Sequence, residues 1–205
     1  ADMHLRLTML TADPLKFGEA TDFIERDARP LIEAEPGNVG MSLKVKETLG
    51  VALVETFWVS GDAMRESDRN VRATRVEAAH RANATLSVES FQVASLVRTA
   101  SWERGNGVRV TRLCARPAEL DKMVATYEDT ALPWLTETDG FRGAVLVAHP
   151  RTGETISETL WEDEAALVGS RSAAAGIRVD TVNATDTTVK GLEEYTQVFN
   201  SVRSV

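Results

Sequence analysis

One cysteine, Cys114, stands among 205 residues, so no intrachain disulfide can staple this chain and its stability must come from a packed core. A lone thiol fits a reducing compartment, and the expected location is the cytoplasm. Histidine is scarce as well: His4, His80 and His149 show no H-x-H or H-E-x-x-H spacing, so no metal is expected. No uninterrupted apolar run approaches the roughly 20 residues of a membrane-spanning helix. The N-terminus lacks the basic, apolar and small-residue succession of a signal peptide. Basic residues are in deficit, with 23 Lys and Arg against 31 Asp and Glu and a net charge of -8. Phosphate binding needs clustered cations to displace counterions, so neither nucleic acid nor an anionic membrane is an expected partner. The glycine loops G-x-G-x-x-G and the P-loop are missing too, leaving no signal for a dinucleotide or a nucleoside triphosphate.

What is present is an internal repeat. With 43% hydrophobic residues the chain can build a core, and sliding it against itself by about 103 residues aligns Leu5–Thr85 with Val108–Thr188 without a gap, giving about 20 identities over about 80 positions. The matched pairs include Arg6/Arg109, Thr8/Thr111, Pro14/Pro117, Pro30/Pro133, Gly37/Gly140, Gly40/Gly143, Gly50/Gly153, Glu55/Glu158, Trp58/Trp161, Ser67/Ser170 and Arg75/Arg178. Glycine and proline pairs mark shared backbone geometry, because they stand where φ is positive or fixed.

Each half reads as strand, helix, strand, strand, helix, strand. His4–Thr11 alternates in polarity with the period of a half-buried strand. Asp13 and Pro14 supply a cap and a first helical position for a helix reaching about Glu35, which Pro36 and Gly37 end. Strands Val39–Lys46 and Val51–Val59 are close enough to form a hairpin, and a second helix over about Asp62–Arg81 precedes strand Leu86–Arg98. The second half predicts strand Val108–Cys114, helix Pro117–Glu137, strands Phe141–His149 and Glu154–Trp161, helix Glu164–Val179 and a last strand near Leu192–Val202. The expected organisation is therefore a first repeat over 3–98, a polar, glycine-containing linker over 99–107 and a second repeat over 108–205. The order βαββαβ is ferredoxin-like, an antiparallel sheet with helices on one face. The fold class expected is α+β, with the helix-free faces of the two repeats packed sheet to sheet as an intrachain pseudo-dimeric barrel.

The segments Glu55-Thr56-Phe57-Trp58 and Glu158-Thr159-Leu160-Trp161, each ending a strand before a helix, carry a likeness that the closing patterns Val88–Val93 and Leu192–Val198 extend. They resemble the dimeric α+β barrel superfamily, specifically the modules named after antibiotic biosynthesis monooxygenases. Most such proteins build the barrel from two chains, so the likeness implies a fused pseudo-dimer, a monomer or a homodimer of fused barrels. It implies a small-molecule-binding, monooxygenase-like protein acting on an aromatic or quinol ligand, with no cofactor. The alternatives it implies are a haem-binding or haem-degrading protein through His80, or a non-catalytic barrel with a structural or interaction role. The Asn that polyketide-type members carry four residues before the tryptophan is replaced here by Val54 and Ser157, and the Tyr after it by Met64 and Leu167.

Four residues are the catalytic candidates. Arg6 and Arg109 share a strand face with His4, Thr8 and Thr111, and on a barrel-lining face their guanidinium groups would clamp an anionic ligand. A cross-strand ion pair with Glu55 or Glu158 is the structural alternative. Trp58 and Trp161 would form the wall against which the ligand stacks, or plug the seam between sheet and helix. His80, with Asn183 at the matching place, is the cofactor candidate for haem, or a surface imidazole in a helix rich in Arg and Glu.

Overall fold

A computed structural model describes residues 2–203. Ser204 and Val205, the end of the expected second repeat, lie outside the described residues. Eight strands are hydrogen-bonded in the order β1-β3-β2-β8-β5-β7-β6-β4, a closed barrel. In chain order they are β1 (His4–Thr11), β2 (Asn38–Lys46), β3 (Val51–Trp58), β4 (Thr85–Arg98), β5 (Gly107–Cys114), β6 (Phe141–Ala148), β7 (Glu154–Trp161) and β8 (Thr188–Asn200). The chain divides into two compact units, one running to Gln92 and resuming at Gln197, the other Val93–Thr196. Those divisions fall inside β4 and β8, outside residues 99–107.

In the first unit β1 lies between β3 and β4, antiparallel to both, with Arg6 opposite Thr56 and Ser90. Alternation along the strands sends Leu10, Met41, Leu43, Val45, Ala52 and Trp58 to a core shared with Phe17, Ile24, Met64 and Val71 of the helical layer. Arg6 and Thr8 share that face by strand period. The conditional placement of the arginine on a barrel-lining face is therefore corrected: its face packs beneath helices. The opposite face carries the buried Leu5, Leu7, Leu53 and Phe57. There Glu55 accepts from Lys44 and Ser42, so it is not the partner of Arg6.

The first helix of each half is broken, not continuous as expected. Asp13 accepts the Leu15 amide at 2.9 Å in an Asx turn, which postpones α1 to Phe17–Phe23. A π-helical segment, Ile24–Ala28, then leads into α2 (Arg29–Glu33). The second unit repeats this as α4 (Leu120–Thr126), a π segment Tyr127–Ala131 and α5 (Leu132–Glu137), after a 3-10 turn at Pro117–Glu119. Prolines 30 and 133 account for the wide turn. With no N–H they leave the carbonyls four residues back without a helical donor, and the wider bonds Arg29 N–H to Ile24 O and Leu132 N–H to Tyr127 O take up the slack. Sequence periodicity averages over such a single-turn change.

The second helix is α3 (Gly61–Arg81) in the first unit, its N-terminus capped by Ser60 on the Ala63 amide. Its counterpart is cut into α6 (Glu164–Gly169) and α7 (Arg171–Thr185), with Asp163 capping Ala166. Gly169 weakens the helix at the cut. The helix also runs beyond the expected Val179 to Thr185 and is ended by Asp186, which takes φ 51 much as Asn83 takes φ 48, a conformation Asp and Asn tolerate. No helix among the described residues is long and apolar enough to cross a membrane.

The hairpin turns of both units depend on a glycine. Gly153 has φ +77, its carbonyl accepts the Ala115 amide at 3.0 Å, and an added Cβ would fall 1.8 Å from the Ala115 carbonyl oxygen. Gly176, in α7, has nothing within 4 Å. Gly153→Ala is expected to lose more than about 1 kcal/mol and Gly176→Ala to gain about 0.5–1 kcal/mol. Chemical unfolding of the two variants checks the contrast, and equal midpoints would contradict it.

Candidate functional site

A cavity lies between sheet and helices of the second unit. It has a volume of about 80 Å³. Strand period brings Arg109, Thr111 and Leu113 of β5 to its floor, beside Ser157 and Thr159 of β7. The register pairs Arg109 with Thr159 and Thr111 with Ser157. Tyr127 and Ala131 reach it from the π segment, Trp134 and Leu135 from α5, and Ile177, Arg178 and Thr181 from α7. The walls are thus mostly apolar, with a few polar groups at set positions, as small-molecule sites require.

Arg109 is 4% exposed. Its guanidinium donates to the Ser170 hydroxyl at 3.1 Å, the Leu167 carbonyl at 2.9 Å and the Glu194 carboxylate at 3.4 Å, and it lies 5.9 Å from the Trp161 ring centroid. Burial lowers its pKa, Arg178 and Arg171 add to that, and Glu194 opposes them. Arginine remains charged through such changes. Glu194 is shared, since Arg171 also donates to it, and that bond is the main cause of its lowered pKa.

Two cavity-lining groups have no such partners. Arg178 is half-buried, burial alone lowers its pKa, and it forms no hydrogen bond or ion pair among the described residues. The Tyr127 side chain is 5% exposed, and its hydroxyl has no hydrogen-bond partner among the described residues. Burial pushes its pKa up, while the nearby Ser157 hydroxyl, out of hydrogen-bonding geometry, pulls the other way. The phenol therefore stays protonated and is a donor.

The corresponding space in the first unit is about 30 Å³. Ile24 and Val54 line it where the second unit has Tyr127 and Ser157, and Arg75 stands where Arg178 does. Arg75 is not free: Asp68 binds it, binds Arg72 at 2.8 Å and lies 3.8 Å from Arg6. Position 171, where the repeat carries the equivalent of Asp68, is arginine.

The sequence-predicted residues fall into three groups. Arg109 lines the larger cavity; Arg6 lines neither, donating to Ser67 at 3.2 Å and to the Met64 carbonyl. Each arginine thus ties β1 or β5 to the second helix of its unit, and neither uses Glu55 or Glu158 as its acid. Trp58 and Trp161 are completely buried, donate their ring N–H to Thr56 and Thr159 at 3.0 Å, and line neither cavity. His80 is exposed in the last turn of α3, and no histidine lines either cavity. The residues present therefore do not form a haem pocket in either space. Tyr127, Ser157 and Arg178 as a cavity set were not read from sequence. Their signal is the contrast between halves, where Ile24 and Val54 become Tyr127 and Ser157.

No protein-family model matches the chain. It is 28% identical over 177 residues to the uncharacterized protein Rv2558 of Mycobacterium tuberculosis, covering 86% of this chain and 75% of that one. Among solved structures it superposes on a candidate monooxygenase from Lactobacillus acidophilus with TM-score 0.71 and 13% identity, over 98% of this chain and 97% of the other. An anthrone oxidase-like protein matches with TM-score 0.69 and 18% identity over 96% and 92% of the two chains. The chain shares the α+β barrel fold of these two proteins. A heme-degrading enzyme from Listeria monocytogenes shares that fold at TM-score 0.53 and 10% identity, over 93% and 98%. At these identities the likeness concerns the fold, which hosts more than one activity.

Asp68 and Glu194 both have lowered pKa values, each caused first by an arginine hydrogen bond. Stability from a lowered carboxylate is present above the unfolded-state value, about 4, and is lost as pH falls through the folded one. Unfolding midpoints should therefore drop as pH falls below about 4, and less steeply in an Asp68→Asn, Glu194→Gln double variant. Parallel acid limbs for the two proteins would contradict this.

Proposed function

We propose that the chain binds the oxyanion of a small electron-rich hydroxyarene in the cavity of the second unit and promotes its oxygenation without a cofactor. The observation that carries this reading is the Arg178 guanidinium, facing a largely apolar cavity with no acid among the described residues. A phenolate or quinol anion offers it the missing charge, and a poorly solvated site makes that attraction stronger than in water. The tryptophans, assigned by sequence to a stacking wall, are kept outside this role; Trp134 and Leu135 flank the ring instead. Size sets an upper limit of one ring, since about 80 Å³ is well under the 150 Å³ or so that takes up benzene in an engineered cavity, and even one ring requires the cavity to widen on binding.

Bound as its anion, such a substrate can itself reduce dioxygen. One electron passes to oxygen, the radical pair recombines to a peroxide, and loss of water leaves the oxidised ring. A hydroquinone and O₂ thus give a hydroxyquinone and water, with one oxygen atom kept in each product. The chain's part is to hold the anion at Arg178, with Arg109 adding positive potential, and to exclude water around the ring. The anthrone oxidase-like structural neighbour supports the class of chemistry. The haem alternative has less support, because His80 is exposed and lines neither cavity.

Oxygen uptake with substituted hydroquinones and with anthrone tests the proposal. Turnover is expected with single-ring quinols, with kcat/KM falling about a hundredfold in Arg178→Ala, the scale of one lost oxyanion donor. Uptake no greater than in buffer for every substrate would remove the proposal.

A further inference from the structure

The Tyr127 hydroxyl is a buried donor with nothing to donate to among the described residues, and leaving such a group unmet is destabilising. It is positioned by a π turn, a wider backbone geometry frequent at functional sites. The first unit has the same π turn but places Ile24 there, so the turn does not require a phenol. Core packing does not require one either, for Ile24 fills its place in an apolar cluster. At the facing strand position, Val54 becomes Ser157.

Strand register separates the polar groups. Arg109 and Thr159 form one rung, and Thr111 and Ser157, beside Tyr127, form the next rung of that face. Alternate residues on one strand lie roughly 6.5–7 Å apart, the scale of a para-disubstituted benzene ring with its two oxygens. Arg178 lines the cavity close enough to Arg109 for the two cations to repel, so its unpaired charge lies toward the Arg109 rung, and that end suits an anion. The tyrosine end, protonated and unpartnered, suits an acceptor.

We propose that the cavity of the second unit selects hydroxyarenes carrying an oxygen acceptor para to the ionised hydroxyl, with Tyr127 donating to that acceptor. This rests on the oxyanion reading above and narrows its substrate class. Ser157 supports the same end of the ligand, its hydroxyl oriented by whichever acceptor Tyr127 meets. The first unit, with Ile24 and Val54 at these positions, has no such end.

The probe is 4-hydroxybenzaldehyde, whose neutral and ionised forms absorb at different wavelengths, compared with 4-methylphenol, which has similar shape and no acceptor. Binding is measured by calorimetry and by the absorbance of the bound phenol, in the full chain and in Tyr127→Phe. The aldehyde's hydroxyl is the more acidic and gains at the arginine in either protein, so the expected result is that its advantage over the methyl compound shrinks about tenfold in Tyr127→Phe. The unliganded variant should melt no lower than the parent, since it loses an unmet hydroxyl. Equal affinities for the two probes in the parent, or an affinity ratio unchanged in Tyr127→Phe, would overturn the inference, as would a variant that melts lower and keeps the full ratio. A Tyr127-dependent preference without oxygen uptake would leave this inference standing and remove only the oxygenation. Failure of both probes to bind would remove both.

Discussion

A buried guanidinium, bonded to the turn of helix above it, sets the geometry of each unit. Taking that charge out of water is tolerated only when its N–H groups are satisfied. In both units the same pair of acceptors does it, a serine hydroxyl and a helix carbonyl three residues earlier: Ser67 with Met64, and Ser170 with Leu167. The second helix is thereby held at a fixed height over the sheet, and the space beneath it is defined by the side chains that line it. Lost to a smaller residue, the arginine would leave a void against the tryptophan it covers and break the tie between strand and helix, with only the serine's own bond to the carbonyl remaining.

On this common frame the halves differ in charge and polarity. Asp68 draws Arg6, Arg72 and Arg75 to one carboxylate and occupies the cation that faces the small cavity. Where the repeat would place that aspartate, Arg171 stands, and Glu194 from β8 serves Arg109 and Arg171 instead. Arg178 is left facing the larger cavity, which polar Tyr127 and Ser157 also enter. One unit uses its arginines to close itself. The other leaves Arg178 at its cavity without an acid among the described residues.

Much of the scaffold is legible in the residues. The strands announce themselves by alternation, and Gly50 with Gly153 and Gly37 with Gly140 mark turns of positive φ in both halves. Identity between halves points to Arg6 and Arg109 as well, but identity records what the frame shares. The site lies in what the frame does not share. Tyr127 and Ser157 are conspicuous only against Ile24 and Val54, and their meeting requires a π turn that periodicity does not reveal. Which face of β1 lies beneath helices is likewise a matter of tertiary packing, since His4, Arg6 and Thr8 read as the polar side of an ordinary half-buried strand. The tryptophans stand out in the sequence because they are large, and they are large because they fill the seam.

The central claim is that the second unit holds the anion. A crystal structure of the chain soaked with a single-ring hydroxyarene tests it most directly. The account predicts one ligand per chain, beneath α7, with its ionised oxygen on Arg178 and no ligand beneath α3. A ligand bound beneath α3, or seated only on the outer surface, would contradict it.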